Sequence, residues 1–488
     1  MGSSVADVRD TGILGALVQA QQRGEVSAVE LTQMSLDRIE AASGLNAVIR
    51  VDADRALRTA ADIDRRRGRG EALGALAGVP ALVKDNMDVR GLPTTHGSLL
   101  CAQDSPALDD DAAVARLHAA DAVVVGKTNL SEFAMEAISD NLVFGATHNP
   151  WRTGFSPGGS SGGSAAALTA GLAAVATGTD GGGSVRIPAS LCGLLGLKPT
   201  SGVTGARPAR LPIELSSAGP LATTVADLRT LAELTLGPVH GDPSCVYGPD
   251  ASIATQPLGT VFATTRIAGS RGLDAAVEAV FVSAVEAFGR AFGREIHWLA
   301  PGVLDEDADE VWAAIYAPED VFAVGSRRLR DEYELLDPRV LEWVDRGLSS
   351  DLDGYLAARN ARNRYVLCLD ELLDGANVLL TPTVTAGPYP AAGAGEADGE
   401  LMPIDLFNTA ALNLTGHPAL TVPAGMVDAV PFGLQLVGPR GADLWLVELA
   451  GTWERHQPWP LTAPGFDAFL PAAALTHALT LAPRSATA

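Results

Sequence analysis

Between Gly154 and Gly205 the chain reads GFSPGGSSGGSAAALTAGLAAVATGTDGGGSVRIPASLCGLLGLKPTSGVTG, and this stretch limits the fold more than any other. Glycine makes up 52 of the 488 residues, about 11% against a usual ~7%, and the excess is concentrated here. A flexible Gly/Ser linker is excluded, because the glycine clusters alternate with apolar runs that need burial. Charge is confined to Asp180, Arg186 and Lys198. Ser164 to Thr177 reads as a helix of small residues that lets neighbours pack closely. A packed helix between two tight turns accounts for the alanines. It does not account for two serine-bearing glycine turns, one on each side of that helix.

The rest of the chain supplies a frame for these turns. Leu14, Leu17 and Val18, then Val29, Leu31, Met34, Leu36 and Ile39, recur at three-to-four spacing, with Ser27 as a helix N-cap. Asn46 to Val51 reads as a strand, Ala53 to Arg67 as a solvated helix and Gly78 to Val83 as a short buried strand. Asp110 to Ala119 is a further helix and Ala122 to Val125 a further strand. From about 251 to 380 the pattern turns helical, with Val277 to Phe292 and Leu356 to Leu373 the long amphipathic stretches. Strand-like runs return at Val378–Leu380, Ala419–Val422 and Phe432–Val437, while Gly387 to Glu400 reads as a loop. Helices alternating with short buried strands predict an α/β fold. One large domain over 1–488 is expected, with a central mixed sheet covered by helices on both faces. Its core lies at about 60–205, and a helical insertion at about 251–380 shapes a pocket.

Composition narrows the function. A hydrophobic fraction of 47% with 19% charged residues rules out global disorder. The net charge of −23 repels nucleic acid and anionic membranes, so neither is an expected partner. No apolar run is long enough to span a bilayer, and MGSSVADVRDTG lacks the pattern of a secretory signal. Cys101, Cys192, Cys245 and Cys368 share no metal-ligand spacing and fit reduced thiols in a cytoplasmic protein.

Three polar groups stand out against apolar or glycine surroundings. Lys84 ends the run GVPALV, Ser160 lies in GGSSGGS, and Ser184 lies in DGGGSVRIP, 24 residues after Ser160. The segment Gly158–Pro199 resembles the signature of the amidase signature family. Supporting matches are GVPALVKDNMDVRGLPTTHGS, GKTNLSEFAM (126–135), GLLGLKPT, LTPTVTAGP, NLTGHPALTVPAG and FGLQLVGP, so the resemblance runs nearly the whole chain. It implies a Ser–Ser–Lys triad, with Ser184 as nucleophile, Ser160 as bridging serine and Lys84 as base. It also implies the mixed sheet covered on both faces.

The chemistry of these residue types agrees. A serine hydroxyl is a poor nucleophile until a neighbouring base takes its proton. Lysine serves as that base only when neutral, so its pKa must fall from about 10.4 toward 7, roughly 4 kcal/mol of differential stabilisation. Burial among hydroxyls supplies such a shift. Asp85 opposes it unless its side chain points to the other face of the strand. Gly181, Gly182 and Gly183 allow a bend that aims N–H groups at one point, so the N–H groups of residues 181 to 184 are expected to form an oxyanion hole. Asp180 and Arg186 read as a structural ion pair supporting the loop. Ser161, Ser164, His96, His148 and His417 read as structural, and Cys192 as a buried core residue.

Expected, then, is a hydrolase of C–N bonds in non-peptide amides, acting on small-molecule amides and also carbamates or aryl esters, with no metal or organic cofactor. Met135, Asn408 and Asn413 are candidate pocket residues. Trp312, Ile315, Tyr316 and Phe322 read first as core and second as an apolar pocket wall. The expected assembly is a homodimer. An α/β-hydrolase elbow at Gly158–Gly162 is disfavoured, because no strand-like run precedes it. The alternative of another class is a glutamine-hydrolysing subunit of an amidotransferase complex. That branch of the family has an Arg-Arg-containing segment and an aspartate for glutamine. The regions here are LDPRVLEWVDRG (336–347), without paired arginines, and PIDLFNTAALNLTG (403–416), where Asp405 falls one residue out of register.

Overall fold

Successive residues of the strand Val378–Pro382 go to opposite sides of a sheet. Val378 and Leu380 join one hydrophobic cluster and Leu379 another. The same division occurs at Ala419 and Leu420 and at Leu436 and Val437, as a sheet covered on both faces requires. The computed structural model describes residues 5–206, 215–245, 256–269, 273–305, 307–392, 396–397, 400–401 and 408–471. Its strands are β1 (Val48–Val51), β2 (Pro80–Lys84), β3 (Val123–Thr128), β4 (Val175–Asp180), β5 (Leu195–Lys198), β6 (Ser217–Ala222), β7 (Val261–Ala263), β8 (Ile296–Trp298), β9 (Val378–Pro382), β10 (Glu396–Ala397), β11 (Glu400–Leu401), β12 (Ala419–Val427) and β13 (Val430–Val437). Eleven of them form one mixed sheet in the order β1-β3-β2-β4-β6-β5-β12-β13-β9-β7-β8. This is the single α/β domain expected. Parallel pairing joins β2 to β3 and β4, and β7 to β8 and β9; the centre is antiparallel.

Local expectations mostly hold. Ser27 caps the helix Ala28–Ala41 with a reciprocal bond to Glu30, and helices occupy Ala53–Gly68, Ala112–Ala119, Ala275–Phe292 and Leu352–Leu373. Three differences are informative. The helix read over Ser164–Thr177 ends at Thr169, because Gly171 adopts φ 61° and turns the chain into β4. The stretch 251–380 is not only helical: β7 and β8 lie within it and extend the sheet edge. The loop 387–400 holds β10 and the start of β11, which pair with each other. Among the described residues no helix is long and apolar enough to cross a membrane.

Candidate active site

Lys84 is the last residue of β2 and is wholly buried. Its Nζ lies 2.7 Å from Ser160 Oγ and 2.8 Å from Thr179 Oγ1, and Asn86 Nδ2 also donates to that threonine, at 2.9 Å. Burial lowers the lysine pKa from 10.5 to about 7, against the opposing pull of the Asp180 charge. Asp85 does face the other way, as strand alternation predicts. Its carboxylate pairs with Lys127 Nζ at 2.8 Å and accepts from the Thr95 N–H at 3.1 Å. Lys84 is thus among hydroxyls while its sequence neighbour is neutralised elsewhere.

The two glycine turns meet. The Ser161 N–H donates to the Ser184 carbonyl at 3.2 Å, joining the start of the helix Gly162–Thr169 to the turn that follows β4. Ser139 Oγ braces the first turn, donating to the Gly158 carbonyl at 3.0 Å and accepting from the Gly162 N–H at 2.9 Å. Ser164 is a packing hydroxyl as expected, bonded to Thr128 and to the Thr177 carbonyl, both at 2.7 Å. Ser184 is half-buried and followed by the helix Arg186–Cys192.

Asp180 and Arg186 lock the second turn from beneath. Arg186 is fully buried and its donors reach Asp180 Oδ1 and Oδ2, the Thr409 carbonyl, Gln435 Oε1 and Asn413 Oδ1. With its guanidinium donors committed in this way, Arg186 is a support and has no N–H left for substrate. Burial works to raise the Asp180 pKa, but Arg186 overrides it and holds the carboxyl well below the usual range.

That carboxylate also corrects the expected oxyanion hole. Asp180 Oδ1 accepts the Gly183 N–H at 2.9 Å and Oδ2 accepts the Val185 N–H at 3.2 Å. Gly183 is therefore excluded as an oxyanion donor. Among the described residues, no acceptor takes the N–H groups of Gly181, Gly182 or Ser184. Glycine is obligatory at two of the positions. A Cβ on Gly181 would lie 2.0 Å from the Tyr316 hydroxyl, and Gly183 has φ 134° with Thr409 2.3 Å from where a Cβ would sit.

The asparagines named as pocket residues serve the frame instead. Asn413 is fully buried and donates to the Asp180 carbonyl and carboxylate and to the Leu215 carbonyl, each at 3.0 Å. Asn408 is buried, accepting from the Ile267 N–H at 3.0 Å and donating to the Thr265 carbonyl at 2.9 Å. Both bridge backbone segments that would otherwise leave buried polar groups unmatched. Met135 is half-buried and packs near Phe133, Leu100 and Val321. Trp312 and Ile315 are core residues, whereas Phe322 is 59% exposed. Asp405 lies outside the described residues.

A cavity of about 1190 Å³ reaches Thr179 and Asn86, the neighbours of Lys84, and is lined also by Phe133, Ser216 and Asp320. Sequence reasoning missed Thr179, the second hydroxyl on Lys84. Its signal was present: Thr177 and Thr179 alternate along one strand, and Thr177 Oγ1 accepts the Lys84 N–H at 2.9 Å.

A buried lysine on a serine hydroxyl is one contact of the arrangement the sequence resemblance implied, and the backbone bond from Ser161 to Ser184 brings the second glycine turn beside the first. Residues 30–447 match the sequence profile of the Amidase family. The chain belongs to the amidase signature family. A glutamyl-tRNA(Gln) amidotransferase subunit of Synechococcus sp. (strain CC9605) is 35% identical over 482 residues, covering 92% of this chain and 97% of that protein. Acylamidase of Rhodococcus erythropolis is 32% identical over 471 residues, covering 89% and 93%. The crystal structure of a bacterial aryl acylamidase of the amidase signature family superimposes with a TM-score of 0.84 at 27% identity, covering 94% of this chain and 96% of that one. As an amidase signature enzyme, this chain is an amidase-type hydrolase of small molecules.

Proposed function

We propose that this amidase signature enzyme works without partner proteins, hydrolysing small uncharged amides, and also aryl esters or carbamates, through an acyl-enzyme on Ser184. The observation that carries this reading is Lys84: fully buried, on hydroxyls, with a pKa near 7. Neutral Lys84 takes the Ser160 proton while Ser160 takes that of Ser184, whose Oγ then attacks the substrate carbonyl. The N–H groups of Gly181, Gly182 and Ser184 receive the oxyanion. On collapse, the C–N bond breaks and the proton returns from Lys84 through Ser160 to the leaving amine. Water then attacks the ester by the same relay, giving the acid and restoring Ser184. A homodimer is the proposed assembly, each copy carrying its own Lys84, Ser160 and Ser184. The proposed setting is the cytoplasm, where the four free cysteines stay reduced.

The second reading, a glutamine-hydrolysing subunit of an amidotransferase complex, is favoured by the 35% identity to such a protein. Against it, both arginines of 336–347 are already paired. Arg339 bonds Asp337 and lies 2.6 Å from Asp140, and Arg346 bonds Glu310. Turnover by the chain alone of an aliphatic amide, an anilide, an aryl carbamate, an aryl ester and glutamine decides between them. Ser184→Ala should lower turnover of any accepted substrate by about 10⁴-fold or more while the protein stays folded. Substantial residual turnover removes Ser184 as nucleophile; activity on glutamine alone, or only after partner proteins are added, favours the second reading.

A further inference from the structure

We infer, on the basis of the Ser184 acyl-enzyme proposed above, that Trp312 is a positioning residue for the oxyanion: its indole N–H holds the Gly181 carbonyl and so aims the Gly182 N–H at the developing charge. Three consecutive glycines have no side chains to fix their backbone angles, so the turn takes its shape from whatever grips its carbonyls. Each grip is visible. Asn413 Nδ2 donates to the Asp180 carbonyl at 3.0 Å, Trp312 Nε1 to the Gly181 carbonyl at 3.0 Å, and Thr409 Oγ1 to the Gly182 carbonyl. The Ile187 N–H takes the Gly183 carbonyl at 2.7 Å.

In a trans peptide the C=O and N–H point in opposite directions, so anchoring one aims the other. The Asn413 bond sets the Gly181 N–H, the Trp312 bond sets the Gly182 N–H, and the Ile187 bond sets the Ser184 N–H. The Thr409 bond sets the Gly183 N–H, which goes to Asp180. Asn413 also supports Arg186 and Leu215, so its loss disturbs more than the turn. Trp312 is different, because its one hydrogen-bonding group acts on a single peptide whose N–H no described residue uses.

The indole is itself held firmly. It is 2% exposed, stacked on Tyr316 at 5.2 Å and 17°, and tilted against Trp343 at 5.2 Å and 33°. Trp343 belongs to the same aromatic group, yet its N–H goes to Asp320 at 3.1 Å. It therefore serves as a matched control.

The test compares Trp312→Phe with Trp343→Phe on an aryl ester or anilide that the wild type accepts. Each variant is also titrated with a trifluoromethyl ketone, which forms a tetrahedral adduct on serine, and with the product carboxylate as a ground-state ligand. Trp312→Phe should lower kcat by about 10- to 100-fold, short of or reaching the 10²–10³ for loss of a whole oxyanion donor. KM and carboxylate affinity should stay within about twofold, while ketone affinity falls in step with kcat/KM. Trp343→Phe should leave kcat within about twofold. An unchanged kcat in folded Trp312→Phe overturns the inference. So does an equal loss of ketone and carboxylate binding, or an equal loss in Trp343→Phe. If Trp312→Phe folds poorly, β-(3-benzothienyl)alanine at position 312 keeps the shape without the N–H, and the same outcomes apply. Turnover surviving Ser184→Ala would fault the acyl-enzyme itself, whereas an inactive Ser184→Ala beside an unaffected Trp312→Phe faults only the role of Trp312.

Discussion

Lys84 and Lys127 stand on neighbouring parallel strands, β2 and β3, one register step apart, and both are fully buried. Their surroundings differ in one respect. Both touch hydroxyls, Lys84 those of Ser160 and Thr179 and Lys127 that of Thr94 at 3.3 Å, but Lys127 also meets the Asp85 carboxylate at 2.8 Å and the Met87 carbonyl at 2.9 Å. Burial lowers both pKa values, but at Lys127 the adjacent Asp85 pulls the other way through both charge and a hydrogen bond. At Lys84 the opposing carboxylate, Asp180, is bound to Arg186. Burial alone does not make a lysine a base; the partner at its tip decides whether the proton can leave.

Substitution separates the two. Lys84→Met should give the largest effect, lowering kcat by about 10³-fold or more without loss of fold. Comparable activity in this variant would remove the distinction. Lys127→Met should act on stability instead, costing about 3–5 kcal/mol because Asp85 is left buried without its counter-charge. Denaturant titration would show this, and adding Asp85→Asn should recover part of the loss. A Lys127→Met protein as stable as wild type would mean that the pair is dispensable.

Changing pH should give a more graded separation. Lys84 must be neutral to act, so kcat/KM should fall about tenfold per unit below about pH 7 and level off above it. A profile flat from pH 5 to 9 would exclude it as the base. The linkage runs the same way for stability. Between about 7 and 10.5 the unfolded lysine holds a proton that the folded one lacks, so stability rises with pH. Any advantage of Lys84→Met over wild type should therefore be full below about pH 7 and shrink from there toward pH 10.

Where a residue's role depended on its own segment, the sequence was readable. Strand alternation left Asp85 free to turn away from Lys84, as it does toward Lys127, and the glycine run around Ser184 announced a bend. What stayed hidden depended on contacts between distant segments. Gly183 looked equivalent to Gly181 and Gly182 until the Asp180 carboxylate was seen to take its N–H. Asn413 and Asn408 looked like pocket residues because polar groups in apolar runs often face ligands, but buried backbone claimed both. Trp312 read as core, which is true of its ring and incomplete for its N–H.

The turn's three side-chain anchors lie far downstream of the carbonyls they grip: Trp312 by 131 residues, Thr409 by 227 and Asn413 by 233. A growing chain thus has its lysine and both serines long before the parts that shape the glycine turn have been synthesised.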